Sequence, residues 1–221
     1  MANLPRAMEI LQRVVPECDI LVVDDNSPDG TGKWAATQAT SSKRLNLLSR
    51  PGKLGLGSAL RDAIRWCLER DYDYLINLDA DLSHDPAKVP EFLKIAQAEN
   101  VDVVIGSRYI VGGGTEGLSF FRKILSRSLN RFAARALHLP VRDCSGSYRC
   151  YRVFNLAELQ LERLTCAGYG FLEEILVTLY RNGATLREFP ITYHARHGGR
   201  SKLRLSDATG ALAVIRKLRH R

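Results

Sequence analysis

Two aspartates separated by a single residue close the apolar run in "LINLDADLSHD", and acids at that spacing and place can do chemistry. Burying an unpaired carboxylate is costly, so a pair at the end of a buried segment needs water, a cation or a cationic partner. Asp79 and Asp81 are therefore read as ligands of a hard divalent cation, which prefers oxygen and keeps phosphates and waters in its shell. In an extended segment, alternation turns both carboxylates to one side. The competing reading is an N-cap or turn cluster, which Asp and Ser both favour. His84 is read as lying behind the metal ligands, on the acceptor side, or as a surface turn residue.

Other segments offer matching chemistry. "LVVDDNSPDG" places Asp24 and Asp25 where a carboxylate can accept hydrogen bonds from a base N–H or a ribose hydroxyl. The same residues suit an Asx-type turn, and both readings can hold together. In "RPGKLGLGSAL", Gly52, Gly55 and Gly57 precede a helix and suit either close backbone approach to a ligand or a tight turn. The pattern is neither a P-loop nor a dinucleotide fingerprint. Arg108 of "GSRY" follows another apolar run. The loop "RHGGRSKLR" carries Arg196, Arg200, Ser201, Lys202 and Arg204, cations suited to closing over a diphosphate.

The elements that must position these residues alternate short β-branched or Leu-rich runs with longer helical patterns, the mark of parallel strands joined by crossover helices. Strands are expected over 18–24, 44–49, 73–78, 101–106, about 147–152 and 185–194. Helices are expected over about 31–41, 57–70, 86–98, 119–137, 153–161, 170–182 and 206–219, with one more in "MANLPRAMEILQRVV" that no strand precedes. The first four strands end in the segments quoted above. In open α/β sheets ligands bind outside the carboxyl ends of strands, so these loops should line one crevice. On the helix over 119–137, Lys123, Arg127, Arg131 and Arg135 form a basic stripe opposite Phe121, Ile124, Leu125, Leu129 and Phe132. That stripe is either a solvated face or a surface for phosphates or anionic headgroups. The last helix is either core or interfacial.

At 221 residues and 45% hydrophobic content the chain suits one domain, 1–221. Its apolar runs fall short of the roughly 18 residues of a membrane span, and its first residues lack the order of a signal peptide. It is read as cytoplasmic and peripheral. Five scattered cysteines with no C-x-x-C pair indicate neither a disulfide framework nor a zinc site. A net charge of +8 calls for anionic partners. Nucleic acid is set aside, because stacking platforms and recognition motifs are missing.

The segments "VVDDNSPDGTG", "KLGLGSAL", "LDADLSHDP", "VIGSRY", "DCSGSYRCYR", "GYGFLEEI", "FPITY" and "RHGGRSK" together resemble glycosyltransferase family 2, and within it the dolichol-phosphate (polyprenol-phosphate) mannose synthases. The resemblance covers nearly the whole chain. It implies an A-type glycosyltransferase fold, Rossmann-like, with a mostly parallel sheet and helices on both faces. It implies inverting transfer of mannose from GDP-mannose to a polyprenol or dolichol phosphate with Mg2+ or Mn2+. Alternatives on the same scaffold are a UDP-glucose-dependent relative and a non-catalytic degenerate one. By position, Asp79 and Asp81 would hold the metal, and Asp24 or Asp25 the nucleoside. Arg108, Arg196, Ser201 and Lys202 would contact donor diphosphate or acceptor phosphate. Asp143, Ser145, Arg149, Arg122 and Lys123 would serve the acceptor. The resemblance also implies a peripheral membrane surface or an anchoring partner, and a first strand with a P-x-Y-N-E type motif ahead of Met1.

Overall fold

The computed structural model describes residues 3–166, 168, 170–195 and 214–219. In chain order the elements are α1 (Leu4–Val14), β1 (Ile20–Asp24), α2 (Thr31–Ser41), β2 (Leu45–Ser49), α3 (Leu56–Leu68), β3 (Tyr74–Asn77) and α4 (Val89–Ala98). There follow β4 (Val103–Ser107), β5 (Gly114–Glu116), α5 (Phe120–Ala136), β6 (Arg149–Arg152), α6 (Val153–Ala157), α7 (Gly170–Arg181), β7 (Leu186–Pro190) and β8 (Thr192–His194). Residues 214–219 are helical. One-turn 3-10 helices occupy Pro86–Lys88, capped by Asp85 on the Ala87 amide at 2.9 Å, and Leu161–Arg163.

β1 and β2 form a parallel pair, and β3-β6-β4-β7 a four-stranded sheet. β4 and β7 are parallel, whereas β6 runs antiparallel to both β3 and β4. The other pairings, β1 with β2, β4 with β7 and β5 with β8, are parallel as expected, and β6 is the exception. Arg149, the first residue of β6, pairs with Asn77 and Ile105 at the carboxyl ends of its neighbours. The chain thus enters β6 from the ligand-binding end of the sheet, and the loop before it, 143–148, is delivered to that end. The strand expected over 185–194 divides at Ile191: β7 ends at Pro190, and β8 pairs with β5, a three-residue strand with no periodicity of its own.

β4 alternates between two cores, as a strand must. Val103 and Ile105 pack with Leu60 and Ile64 of α3, Ala133 of α5 and Phe171 and Leu176 of α7. Val104 packs on the opposite face with Leu11 of α1 and Phe92 and Ala96 of α4. Leu4 and Met8 of α1 reach Val22, Ala35 and Leu45, so α1 covers both sheets on one face, and α3 contacts β1 and β3 alike. Gly57 lets α3 approach α7, since a Cβ there would stand 2.5 Å from the Phe171 Cβ.

α5 departs from its expected packing. Its buried residues are Asn130, Ala133 and Ala134. Phe121, Ile124, Leu125 and Phe132 remain exposed beside the basic stripe. No helix among the described residues is long and apolar enough to cross a membrane, and all five cysteines are free thiols.

Candidate functional site

The segment after β3 is a turn, so strand alternation does not orient the acids. Asp81 Oδ1 accepts from the Ser83 amide at 2.9 Å, and Leu82 adopts a left-handed φ of 63°. The turn reading and the ligand reading are compatible: the Asx turn folds the segment back so that the His84 Nδ1 accepts from the Asp79 amide at 3.2 Å. Ser147, from the loop before β6, donates to Asp79 Oδ1 at 3.1 Å. Burial lowers the His84 pKa, against the pull of Asp79. An Nδ1 that accepts from an amide leaves the ring proton on Nε2.

His84 is the hub of the assembly. It feels the charges of Asp79, Arg108, Asp81 and Asp143, and its ring lies 5.0 Å from Tyr148 and 5.8 Å from Tyr193. Arg108, just beyond β4, forms a two-pronged ion pair with Asp143: Nε donates to Oδ2 and Nη2 to Oδ1, both at 2.7 Å. Its backbone amide adds a bond to Oδ2 at 3.1 Å, and Nη2 reaches Ser145 Oγ at 3.0 Å. Burial opposes the guanidinium charge, but the Asp143 hydrogen bonds and charge prevail and raise the Arg108 pKa. The guanidinium also lies 5.9 Å from the Tyr193 ring centre.

Two residues expected at the acceptor site are buried. The Asp143 side chain is wholly buried, taking the three Arg108 bonds and one from the Gly146 amide at 3.2 Å. It orients Arg108 instead of facing a crevice. Arg149 is also fully buried. Its Nη1 donates to the Leu172 carbonyl and its Nη2 to the Cys144 carbonyl, both at 2.6 Å. It ties α7 to the 143–148 loop. Ser145 is half-buried, and Arg122 and Lys123 lie exposed on the first turn of α5. Arg196, Arg200, Ser201, Lys202 and Arg204 lie outside the described residues.

Asp24 and Asp25 end β1 in a second cluster. Asp24 Oδ2 accepts from the Ser27 amide at 3.2 Å and sits so close over Gly32 that a Cβ there would stand 2.5 Å away. Asp25 pairs with Arg50, a buried residue just past β2 whose Nε also donates to Asp62 at 2.9 Å. Sequence reading missed Arg50, although its place after β2, in "SRPGKLG", marked it. It also missed Asn130, Ser147 and Tyr193, which no local pattern distinguishes.

Among the described residues no three His, Cys, Asp or Glu side chains form a metal cage. Two carboxylates on one turn are what a hard divalent ion needs when a diphosphate and water complete its shell. Asp79 and Asp81 fit that donor set.

The sequence pattern of the family described as glycosyl transferase family 2 matches residues 2–160. The chain is 39% identical over 201 residues to the undecaprenyl-phosphate mannosyltransferase of Micrococcus luteus, covering 91% of this chain and 82% of that one. It is 35% identical over 214 residues to the polyprenol monophosphomannose synthase of Mycolicibacterium smegmatis, covering 96% and 80%. Glucosyl-3-phosphoglycerate synthase from Mycobacterium tuberculosis, solved with Mn2+, UDP and glucosyl-3-phosphoglycerate, superposes with a TM-score of 0.73 over 99% of this chain and 76% of that one. At 15% identity this likeness speaks for the fold alone.

Proposed function

We propose that this chain, which belongs to glycosyl transferase family 2, transfers mannose from GDP-mannose to a polyprenyl phosphate with inversion. The carrying observation is the convergence of the Asp79–Asp81 turn and the Asp143-braced Arg108 on His84, in a chain that resembles two polyprenyl-phosphate mannosyltransferases over nine-tenths of its length.

A phosphate monoester is anionic near neutral pH and can attack an anomeric carbon without a strong general base. The site must instead align two anionic substrates and neutralise the departing diphosphate. Mg2+ or Mn2+ on Asp79 and Asp81 would supply that neutralisation. Arg108, held in one orientation by Asp143 and Ser145, presents a fixed cation to a phosphate. Ser147 and His84 hold the Asp79 turn in place. Asp24 or Asp25 is assigned to the nucleoside on the resemblance, Asp24 lying close over Gly32 and Asp25 paired with Arg50. Arg196, Ser201 and Lys202 are assigned to the phosphates on the resemblance. The acceptor is drawn from a membrane at whose surface the protein works peripherally.

The test is transfer from radiolabelled GDP-mannose to a short polyprenyl phosphate, with Mg2+ or Mn2+ or with chelator, beside UDP-glucose and beside Asp81→Ala. Metal-dependent mannolipid that falls at least about a hundredfold in the variant is expected. Transfer from UDP-glucose alone, or undiminished activity in chelator, would overturn the assignment.

A further inference from the structure

One buried side chain joins the end of β1 to the start of α3. Arg50, the residue after β2, is 5% exposed, and its guanidinium donates in three directions. Nη1 reaches Asp25 just past β1, Nη2 reaches Ser58 Oγ in the first turn of α3, and Nε reaches Asp62 Oδ2 one turn on at 2.9 Å. Its backbone amide adds a bond to the Asp24 carbonyl at 2.8 Å, just past the β1–β2 register. Both acids that close β1 are thus held by this residue, Asp24 through its main chain and Asp25 through its side chain. Arg50 and Ser58 also bracket the loop 51–57, so their bond closes the glycine-rich segment, whose Lys53, Leu54 and Gly55 lie exposed.

An arginine that only stitched α3 to the sheet would need Asp62 alone. Two of the three bonds instead go to groups at the carboxyl end of the sheet, where open α/β folds receive ligands. Among the described residues the Asp25 carboxylate has no donor other than Arg50, which takes Oδ1, so Oδ2 is open to a ligand hydroxyl or N–H. We propose that Arg50 is a positioning residue for the donor nucleotide. Its side chain is 3% exposed and touches no ligand; it fixes the Asp25 carboxylate and the loop 51–57, which do. A guanidinium suits this task because its donors lie in one rigid plane, whereas an ammonium carries the same charge without fixed directions. Loss of Arg50 would leave Asp25 and Asp62 without the cation that lies between them. Arg50 then braces the donor half of the site as Asp143 braces the half that holds Arg108. This deepens the proposed function and rests on its assignment of Asp24 or Asp25 to the nucleoside.

The test is calorimetric titration of the full chain with GDP and Mn2+, beside initial rates of mannosyl transfer at varied donor and acceptor. Arg50→Lys keeps the charge and loses the fork, and Arg50→Ala loses both. Each is expected to weaken GDP binding and raise the KM for GDP-mannose by at least about tenfold, with the KM for polyprenyl phosphate changed by less than about twofold. Guanidinium, added far below denaturing concentration, should restore GDP binding to Arg50→Ala. Far-ultraviolet dichroism checks folding, and should Arg50→Ala fail to fold, Arg50→Lys decides alone. Arg65→Ala, which removes the solvent-side ion pairs of α3 with Asp62 and Glu162, should bind GDP as wild type does. Wild-type GDP affinity in Arg50→Lys overturns the inference. So does an equal loss in Arg65→Ala or an equal rise in both KM values, since Arg50 would then serve stability alone. Binding of UDP and not GDP by wild type would defeat the proposed donor and leave Arg50 to be judged on UDP. Nucleotide binding that depends on Arg50 without mannosyl transfer would defeat the proposed function and leave the positioning role standing.

Discussion

The Glu173 carboxyl is the residue whose protonation bears most directly on stability. Burial pushes its pKa up from 4.5 to about 7, against the pull of the Arg149 guanidinium. Between these values the unfolded chain has released a proton that the folded chain keeps, so stability falls as pH rises through that window. Glu173→Gln removes the ionisation. It should raise the melting temperature at pH 8, by an amount equivalent to on the order of 3 kcal/mol, and leave it nearly unchanged at pH 4. An equal gain at both pH values would mean that packing, and not ionisation, had changed. Sequence alone could not single out this residue. "FLEEI" shows two acids on an apolar helix, and only the fold reveals that Glu174 caps the Cys166 amide at 2.7 Å while Glu173 faces Arg149. Asp79, Asp81 and Asp24 stood out because they close apolar runs, and the turn reading open for them is met in the bonds that Asp81 and Asp24 accept from Ser83 and Ser27. The burial of Asp143 and Arg149 was not legible, because nothing in "DCSGSYRC" tells a side chain that faces the crevice from one that braces its neighbour.

At the scale of elements, strands and helices were largely legible from periodicity, with most boundaries displaced by one or two residues, although α6 stops at Ala157, four residues short of its expected end, and α4 starts at Val89, three residues late. β6 could not be oriented, because antiparallel entry depends on where α5 delivers the chain. The binding of α5 to the site loop passes through one side chain. Asn130 Nδ2 donates to the Ser126 carbonyl at 3.1 Å while Oδ1 accepts from two successive loop amides. Asn130→Ala would leave those buried amides without their acceptor, at about 1–3 kcal/mol each. The loop carries Asp143 and Ser145, which orient Arg108. The expected result is therefore a lowered melting temperature together with a rise of about tenfold in KM for the acceptor and little change in KM for the donor. Equal rises in both would place Asn130 in general stability alone.

On the scale of the whole molecule, the two sheets are the feature that no single element explains. β1 bonds only to β2 and β3 only to β6 among the described residues, yet α1 covers both sheets on one face and α3 contacts β1 and β3. β3 is half-buried throughout whereas every residue of β4 is buried. The helices thus span two strand edges whose outward amides and carbonyls lack ladder partners, an arrangement that folded sheets normally close. Asn3, at the start of α1, donates to the Asp81 carbonyl at 3.0 Å, which places the beginning of α1 at the carboxyl end of β3. Hydrogen exchange provides the measurement. Outward-facing amides of β1 and β3 should exchange at least about a hundredfold faster than those of β4, which is paired on both sides. If the edge amides are already as protected as those of β4, the helices that span the two sheets close their edges without ladder pairing.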